Sequence, residues 1–125
     1  MLTLIQAIAR MEGFGPPVNR ATRNNNPGNL NFEPWQESAP YHAVLETIPA
    51  GVEETARFAR FPSPDAGWGA MRTLLMGSYL GMNLAAALNK WAPPSDGNNQ
   101  SSYQASVCSW MGVAPETVIT EELIG

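Results

Sequence analysis

The acid most at odds with its surroundings in this sequence is Glu12. Leu4, Ile5, Ile8 and Met11 recur at the i, i+1, i+4, i+7 spacing of a core-facing helical stripe, and Glu12 falls on the same face. Gly13 supplies the left-handed position that commonly follows a helix, and Gly15, Pro16 and Pro17 prevent continuation. Glu12 is therefore expected in the last helical turn. Its charge there meets the negative end of the helix dipole and loses hydration against apolar neighbours, two effects expected to raise its pKa. A carboxyl group that stays protonated near neutral pH can act as a general acid. The bland alternative is a glutamate that reaches solvent or pairs with Arg10, Arg20 or Arg23. An acid on an apolar face breaks a local rule, and such breaks tend to mark functional sites.

The second group of interest follows at once. Arg23-Asn24-Asn25-Asn26-Pro27-Gly28-Asn29-Leu30 is a dense run of turn formers, in which Asn side chains bond nearby backbone and Pro27-Gly28 sets a tight turn. It can be a well-made loop and nothing more. Four asparagines and an arginine within seven residues also offer amide donors and acceptors suited to sugar hydroxyls and N-acetyl groups. Arg23, Asn25, Asn26 and Asn29 are the candidate binding residues of this run. Trp35 and Tyr41 are candidates for stacking on a pyranose, although packing under a long loop explains them as well.

Other reactive side chains have weaker claims. Asp65 is explained by helix capping, Glu33 is a loop acid of unknown direction, and Asp96 lies far along the chain. His42 is the only histidine, so most histidine zinc sites are excluded and any Ser-His-acid triad would depend on that one ring. Cys108 stands alone, which excludes an internal disulfide and a cysteine-rich metal site and suggests a buried, inert thiol in a helix. No metal or cofactor is implied.

Several segments in order carry a resemblance. Glu12-Gly13-Phe14, the Arg23 to Leu30 run, Phe58-Ala59-Arg60-Phe61-Pro62-Ser63-Pro64-Asp65-Ala66-Gly67, Trp91-Ala92-Pro93-Pro94-Ser95-Asp96-Gly97-Asn98-Asn99 and Tyr103 together resemble the small lysozyme-like peptidoglycan-cleaving domains of bacteriophages and prophages. These are similar to lytic transglycosylases, and the likeness runs from about Leu4 to about Val113. It implies a mainly α (α+β) lysozyme-like fold with a small or degenerate β region beside a substrate cleft. It implies that the segment after Trp91 borders that cleft, which adds Asn98 and Tyr103 as substrate contacts. It also implies cleavage of the MurNAc-GlcNAc β-1,4 bond of peptidoglycan by one glutamate, Glu12, with no cofactor. A muramidase assisted by Asp65, Asp96 or Glu33 is the nearest alternative, and a non-catalytic virion or cell-wall-binding module of the same fold is the other.

Composition narrows the classes. A chain of 125 residues with 44% hydrophobic residues and four Trp fits one folded domain spanning residues 1–125. A net charge of -4 with a single lysine leaves no basic patch for nucleic acid. No apolar run reaches the ~18 residues of a membrane span, and the N-terminus lacks the order of a signal peptide. The expectation is a protein made in the cytoplasm and acting on the cell wall, or associated with a virion. Delivery would then fall to a holin, a virion or a larger parent protein.

The elements that must position these residues are mostly helical. After the first helix, residues 31–52 read as irregular, with short strands expected at 30–32 and 57–61. Ser63 caps a long helix that begins at Pro64, carries Trp68, Met71, Leu74, Leu75 and Tyr79, and stops near Gly81. Further helices are expected at 84–91, at 101–111 with Ser101 or Ser102 capping and Gly112 closing, and at 115–124.

Overall fold

The computed structural model describes residues 1–125. Its helices are α1 (Leu4–Met11), α2 (Arg20–Arg23), α3 (Pro64–Ser78), α4 (Leu84–Trp91), α5 (Gln100–Met111) and α6 (Glu121–Ile124). Strands β1 (Val44–Leu45) and β2 (Ala59–Arg60) pair antiparallel, Val44 opposite Arg60 and Leu45 opposite Ala59. Short 3-10 turns occur at Pro34–Gln36 and Pro94–Asp96. The protein is thus mainly helical with a small β region, and no helix is long and apolar enough to cross a membrane.

The chain divides into two compact units, with the boundary inside α3. One comprises Met1–Met11 and Arg72–Gly125, where α5 packs against α1 and α4, and α6 packs against α1. Thr3 and Gln6 start α1 with a reciprocal cap. The Thr3 N–H donates to Gln6 Oε1 at 2.9 Å, and the Gln6 N–H donates to Thr3 Oγ1 at 3.5 Å. Leu4, Ala7 and Ile8 are buried as the helical spacing requires, whereas Ile5 and Met11 are half-buried. Arg10 stacks on Trp110, 4.7 Å from the ring centroid. Helix α4 buries Leu84, Ala87 and Leu88 and is capped by Asn83, whose Oδ1 accepts the Ala86 N–H at 2.8 Å. Each of those three side chains loses its water contact, and a buried leucine is worth roughly 1.5–3 kcal/mol.

Two expectations in this unit change. Asn99 caps α5 in place of Ser101 or Ser102, because its Oδ1 reaches the Ser102 N–H at 3.0 Å. The last helix is one turn, Glu121–Ile124, since Val118 forms an isolated antiparallel bridge with Asn83 and Ile119 bonds to Met82 and Gly81. Extended backbone at those positions leaves only the residues after Thr120, which caps Leu123, free to wind. Cys108 is buried in α5; burial pushes its thiol pKa up and the Glu116 charge adds to that, so it is a poor nucleophile.

The other unit is Glu12–Met71. Its β region centres on residues 57–60: the Phe32 N–H donates to Arg57 O, the Ala59 N–H to Leu30 O, and Asn31 bridges Phe58, with β1 on the opposite edge. The stretch 57–61 is extended as expected, while β1 lies inside a stretch expected to be irregular. Both β1 side chains are exposed, so no alternation of apolar and polar residues announces it. Ser63 starts α3 as expected, accepting the Ala66 N–H at 3.2 Å.

Gly67, in the first turns of α3, lies directly against the asparagine-rich turn. A Cβ placed there would sit 1.9 Å from Asn25 O and 2.9 Å from Pro27 Cδ. Gly67→Ala is therefore expected to cost about 3 kcal/mol or more, the upper end of overpacking penalties. Gly77→Ala meets no atom within 4 Å and should instead add roughly 0.5–1 kcal/mol by helix propensity. Urea denaturation of both variants checks this pair of opposite signs.

Candidate functional site

The asparagine-rich turn is built from the one-turn helix α2. Asn19 caps it, its Oδ1 accepting from the Thr22 N–H at 3.1 Å and from Thr22 Oγ1 at 3.0 Å. The chain then reverses so that Asn24, Asn26, Pro27 and Gly28 are buried, with Asn25 at φ +51° and Asn29 at φ +49°. Asparagine tolerates this left-handed region better than other side-chain-bearing residues.

Each asparagine has its own task. Asn26, fully buried, donates Nδ2 to Leu30 O at 3.0 Å and to Ala59 O at 2.9 Å, and its Oδ1 accepts the Leu30 N–H at 2.9 Å. Asn25 Nδ2 donates to Phe61 O at 2.9 Å, and the Phe61 N–H returns to Asn24 O at 2.9 Å. These bonds fasten the turn to the strand region, so the amides of Asn25 and Asn26 act as scaffold. Asn24 Nδ2 donates to Glu46 Oε1 at 3.0 Å. Asn29 turns toward Glu12, its Nδ2 donating to Oε1 at 3.1 Å.

Glu12 follows the last residue of α1 and does not lie within the helix. Gly13 has φ +79°, so the backbone leaves the helical path at the expected residue, and the winding ends one position earlier than the spacing suggests. Glu12 is half-buried. Nearby in sequence, Phe14 makes an edge-to-face contact with Trp68 of α3, ring centroids 5.5 Å apart at 80°. Trp35 and Tyr41 form a second such pair at 5.4 Å and 88°. Beside Tyr41 lies an open hollow of about 280 Å³ lined by Pro40, Tyr41, Ser63, Asp65, Ala66 and Gly69.

The strongest electrostatic feature of this unit is a residue to which the sequence draws no attention. Glu46 has a side chain with 0% exposure, and its carboxylate accepts five hydrogen bonds. Arg20 donates Nε to Oε1 at 3.0 Å and Nη2 to Oε2 at 2.6 Å; the backbone N–H groups of Arg57 and Phe58 reach Oε2 at 3.0 and 2.8 Å. Burial pushes the carboxyl up, but Arg20, the Arg57 N–H, Asn24 and the Phe58 N–H outweigh it and hold the pKa at about 2. The same pair raises Arg20, against the opposing effect of burial. Arg20 also covers the Phe58 ring at 4.3 Å.

Arg20 and Arg23 therefore serve the fold. Arg23 Nη2 bonds Glu54 Oε1 at 2.7 Å and lies 3.9 Å from Glu46 Oε1. Of the three arginines that could have paired with Glu12, Arg10 stacks on Trp110, and Arg20 and Arg23 face the Glu46 and Glu54 carboxylates. One clue is present in the sequence: two arginines three residues apart, one helical turn, with no acid close by in the chain.

Asn98 and Tyr103 belong to the other unit, where Asn98 Nδ2 donates to Pro93 O at 3.2 Å and Tyr103 is 3% exposed. Glu33 is exposed and starts the Pro34–Gln36 turn as its cap, and Asp96 and Asp65 are exposed too, the latter at the start of α3. The structure thus brings Asn29 to Glu12 and directs Arg23, Asn25 and Asn26 elsewhere. No group of three or more His, Cys, Asp or Glu is placed to hold a metal ion.

A scan against protein-family models finds no match to the chain, and a search of curated proteins finds none either.

Glu46 makes stability depend on pH in a defined window. Its folded pKa, about 2, lies below the ordinary 4.5, so its contribution is fully present above pH 4.5 and is lost as pH falls toward 2. The shift corresponds to about 3 kcal/mol. Glu46→Gln is expected to lower stability at pH 7 by about 3 to 5 kcal/mol, because Arg20 loses its buried partner. It should also flatten the decline between pH 4.5 and 2, as read by urea midpoints across that range.

Proposed function

We propose that this protein cleaves the MurNAc-GlcNAc β-1,4 bond of peptidoglycan as a lytic transglycosylase, with Glu12 as acid and then base. The observation that carries this reading is a half-buried glutamate at the end of α1 whose carboxylate receives the Asn29 amide. The order of segments resembling the lysozyme-like domains of phages and prophages supports the choice of substrate.

In the first step the Glu12 carboxyl gives its proton to the glycosidic oxygen. The bond from that oxygen to the muramic acid C1 breaks, and the leaving oxygen keeps the electron pair and departs as a hydroxyl. In the second step the Glu12 carboxylate takes the proton of the C6 hydroxyl, and O6 forms the new bond to C1. The product is a 1,6-anhydro end, water is not consumed, and no second carboxylate is required. A hydrolase, by contrast, ordinarily places two carboxyl groups about 5 to 9.5 Å apart across the bond. Under this reading the partner is a glycan strand of the cell wall. Delivery by a holin, a virion or a larger parent chain completes the proposal.

Purified peptidoglycan incubated with the protein should release anhydro-muropeptides identifiable by mass spectrometry. Glu12→Gln should lower that release by roughly 10²- to 10⁴-fold, the usual share of general acid–base catalysis. Reducing ends in place of anhydro ends would assign a muramidase, with Asp65, Asp96 or Glu33 as the acid to test next. Undiminished glycan binding with no release from either protein would assign a binding module.

A further inference from the structure

We infer that Asn29 is a positioning residue of Glu12, holding its carboxylate through an amide hydrogen bond, and is not a sugar contact; this rests on Glu12 being the catalytic acid of the proposed function. Asn24, Asn25 and Asn26 give their Nδ2 groups to Glu46 or to backbone carbonyls of the scaffold. Asn29 gives its Nδ2 to Glu12 Oε1 at 3.1 Å. The recipient is thus a half-buried acid at a helix end, and the donor comes from a separate, buried turn.

The base of Asn29 is rigid for reasons visible in its neighbours. Its own N–H donates to Asn26 O at 3.1 Å, and the next residue, Leu30, is clamped at both N–H and C=O by the Asn26 amide. The backbone at Asn29 is held at φ +49°, a conformation that Asn, Asp and Gly accept and most residues do not. A side chain projected from such a clamp has little freedom to follow a wandering partner. The partner must come to it.

The other pole of the amide strengthens the point. Asn29 Oδ1 is buried and has no hydrogen-bond partner. A buried acceptor left unmatched calls for an explanation, because proteins seldom tolerate one. The amide is therefore oriented by what its nitrogen does, and what it does is hold Glu12. Asn24 repeats the pattern, with Nδ2 on Glu46 and Oδ1 unmatched. There the carboxylate is an internal anchor that accepts five hydrogen bonds. At Glu12 the same device acts on a group with access to solvent.

A fixed carboxyl group matters most where the proton is in flight, so loss of the amide should lower kcat and leave KM nearly unchanged. Asn29→Asp keeps the shape and the backbone tolerance but cannot donate when ionised; Asn29→Gly keeps the tolerance and removes the amide. Both are expected to release muropeptides roughly 10- to 100-fold more slowly at saturating peptidoglycan, the worth of one hydrogen bond to a charged group, with KM within about 3-fold. A raised KM with kcat retained would make Asn29 a sugar contact and overturn the proposal. The pairing itself is read without activity: the Asn29 side-chain amide resonance, assigned by its disappearance in Asn29→Asp, should move between the parent and Glu12→Gln while amides of the other unit stay in place. A resonance identical in the two proteins overturns the proposal even if the variants fold poorly. If the parent releases no product while the resonance moves, the proposed function fails and the Asn29–Glu12 pairing stands.

Discussion

The buried carboxylate of Glu46 is the constraint on which the rest of its unit depends. A charge cannot be removed from water unless donors replace the lost hydration, and here five hydrogen bonds converge from three places in the chain. Arg20 comes from α2, Asn24 from the turn that follows, and two backbone N–H groups from the strand region at Arg57 and Phe58. Because each donor must arrive at about 3 Å, the carboxylate fixes the position of the turn relative to the strands. Arg23 and Glu54 extend the same network toward solvent, where the ion pair is worth less.

Once the turn is placed, its far end acquires a purpose. The amides of Asn25 and Asn26 tie it to Phe61, Leu30 and Ala59, and Gly67 lets α3 approach the Asn25 carbonyl where any side chain would collide. Asn29 emerges from this frame with a defined direction and meets Glu12. Rigid support and a partner for the acid are thus supplied by one eight-residue run, with four of its residues bearing on the scaffold and one on Glu12.

Much of the helical part is legible in the amino-acid sequence. Residues 84–91 wind as the spacing of Leu84, Ala87 and Leu88 demands, Ser63 and Pro64 open α3, and Gly112 closes α5 in the left-handed conformation at φ +69°. These features are local: a cap, a stripe or a terminating glycine acts within four or five residues of itself, so its signature lies in adjacent letters. The end of α1 after Met11 is legible for the same reason. It follows from the stripe that precedes it and the glycine that follows it.

Which polar groups face which is set by contacts between distant parts of the chain. Glu46 lies beside the exposed Val44 and Leu45, so the pattern around β1 is inverted, apolar outward and charge inward, and a reading by periodicity passes over it. Its donors are 11 to 26 residues away. Likewise the four asparagines of the turn look equivalent in the sequence. The fold divides them, because the partner of each amide, Glu46, Phe61, Ala59 or Glu12, is brought there by chain segments that the turn itself does not specify. Local sequence determined where the chain turns and which faces are apolar. Long-range hydrogen bonding, most of all to a buried charge, decided what each polar residue of that turn is for.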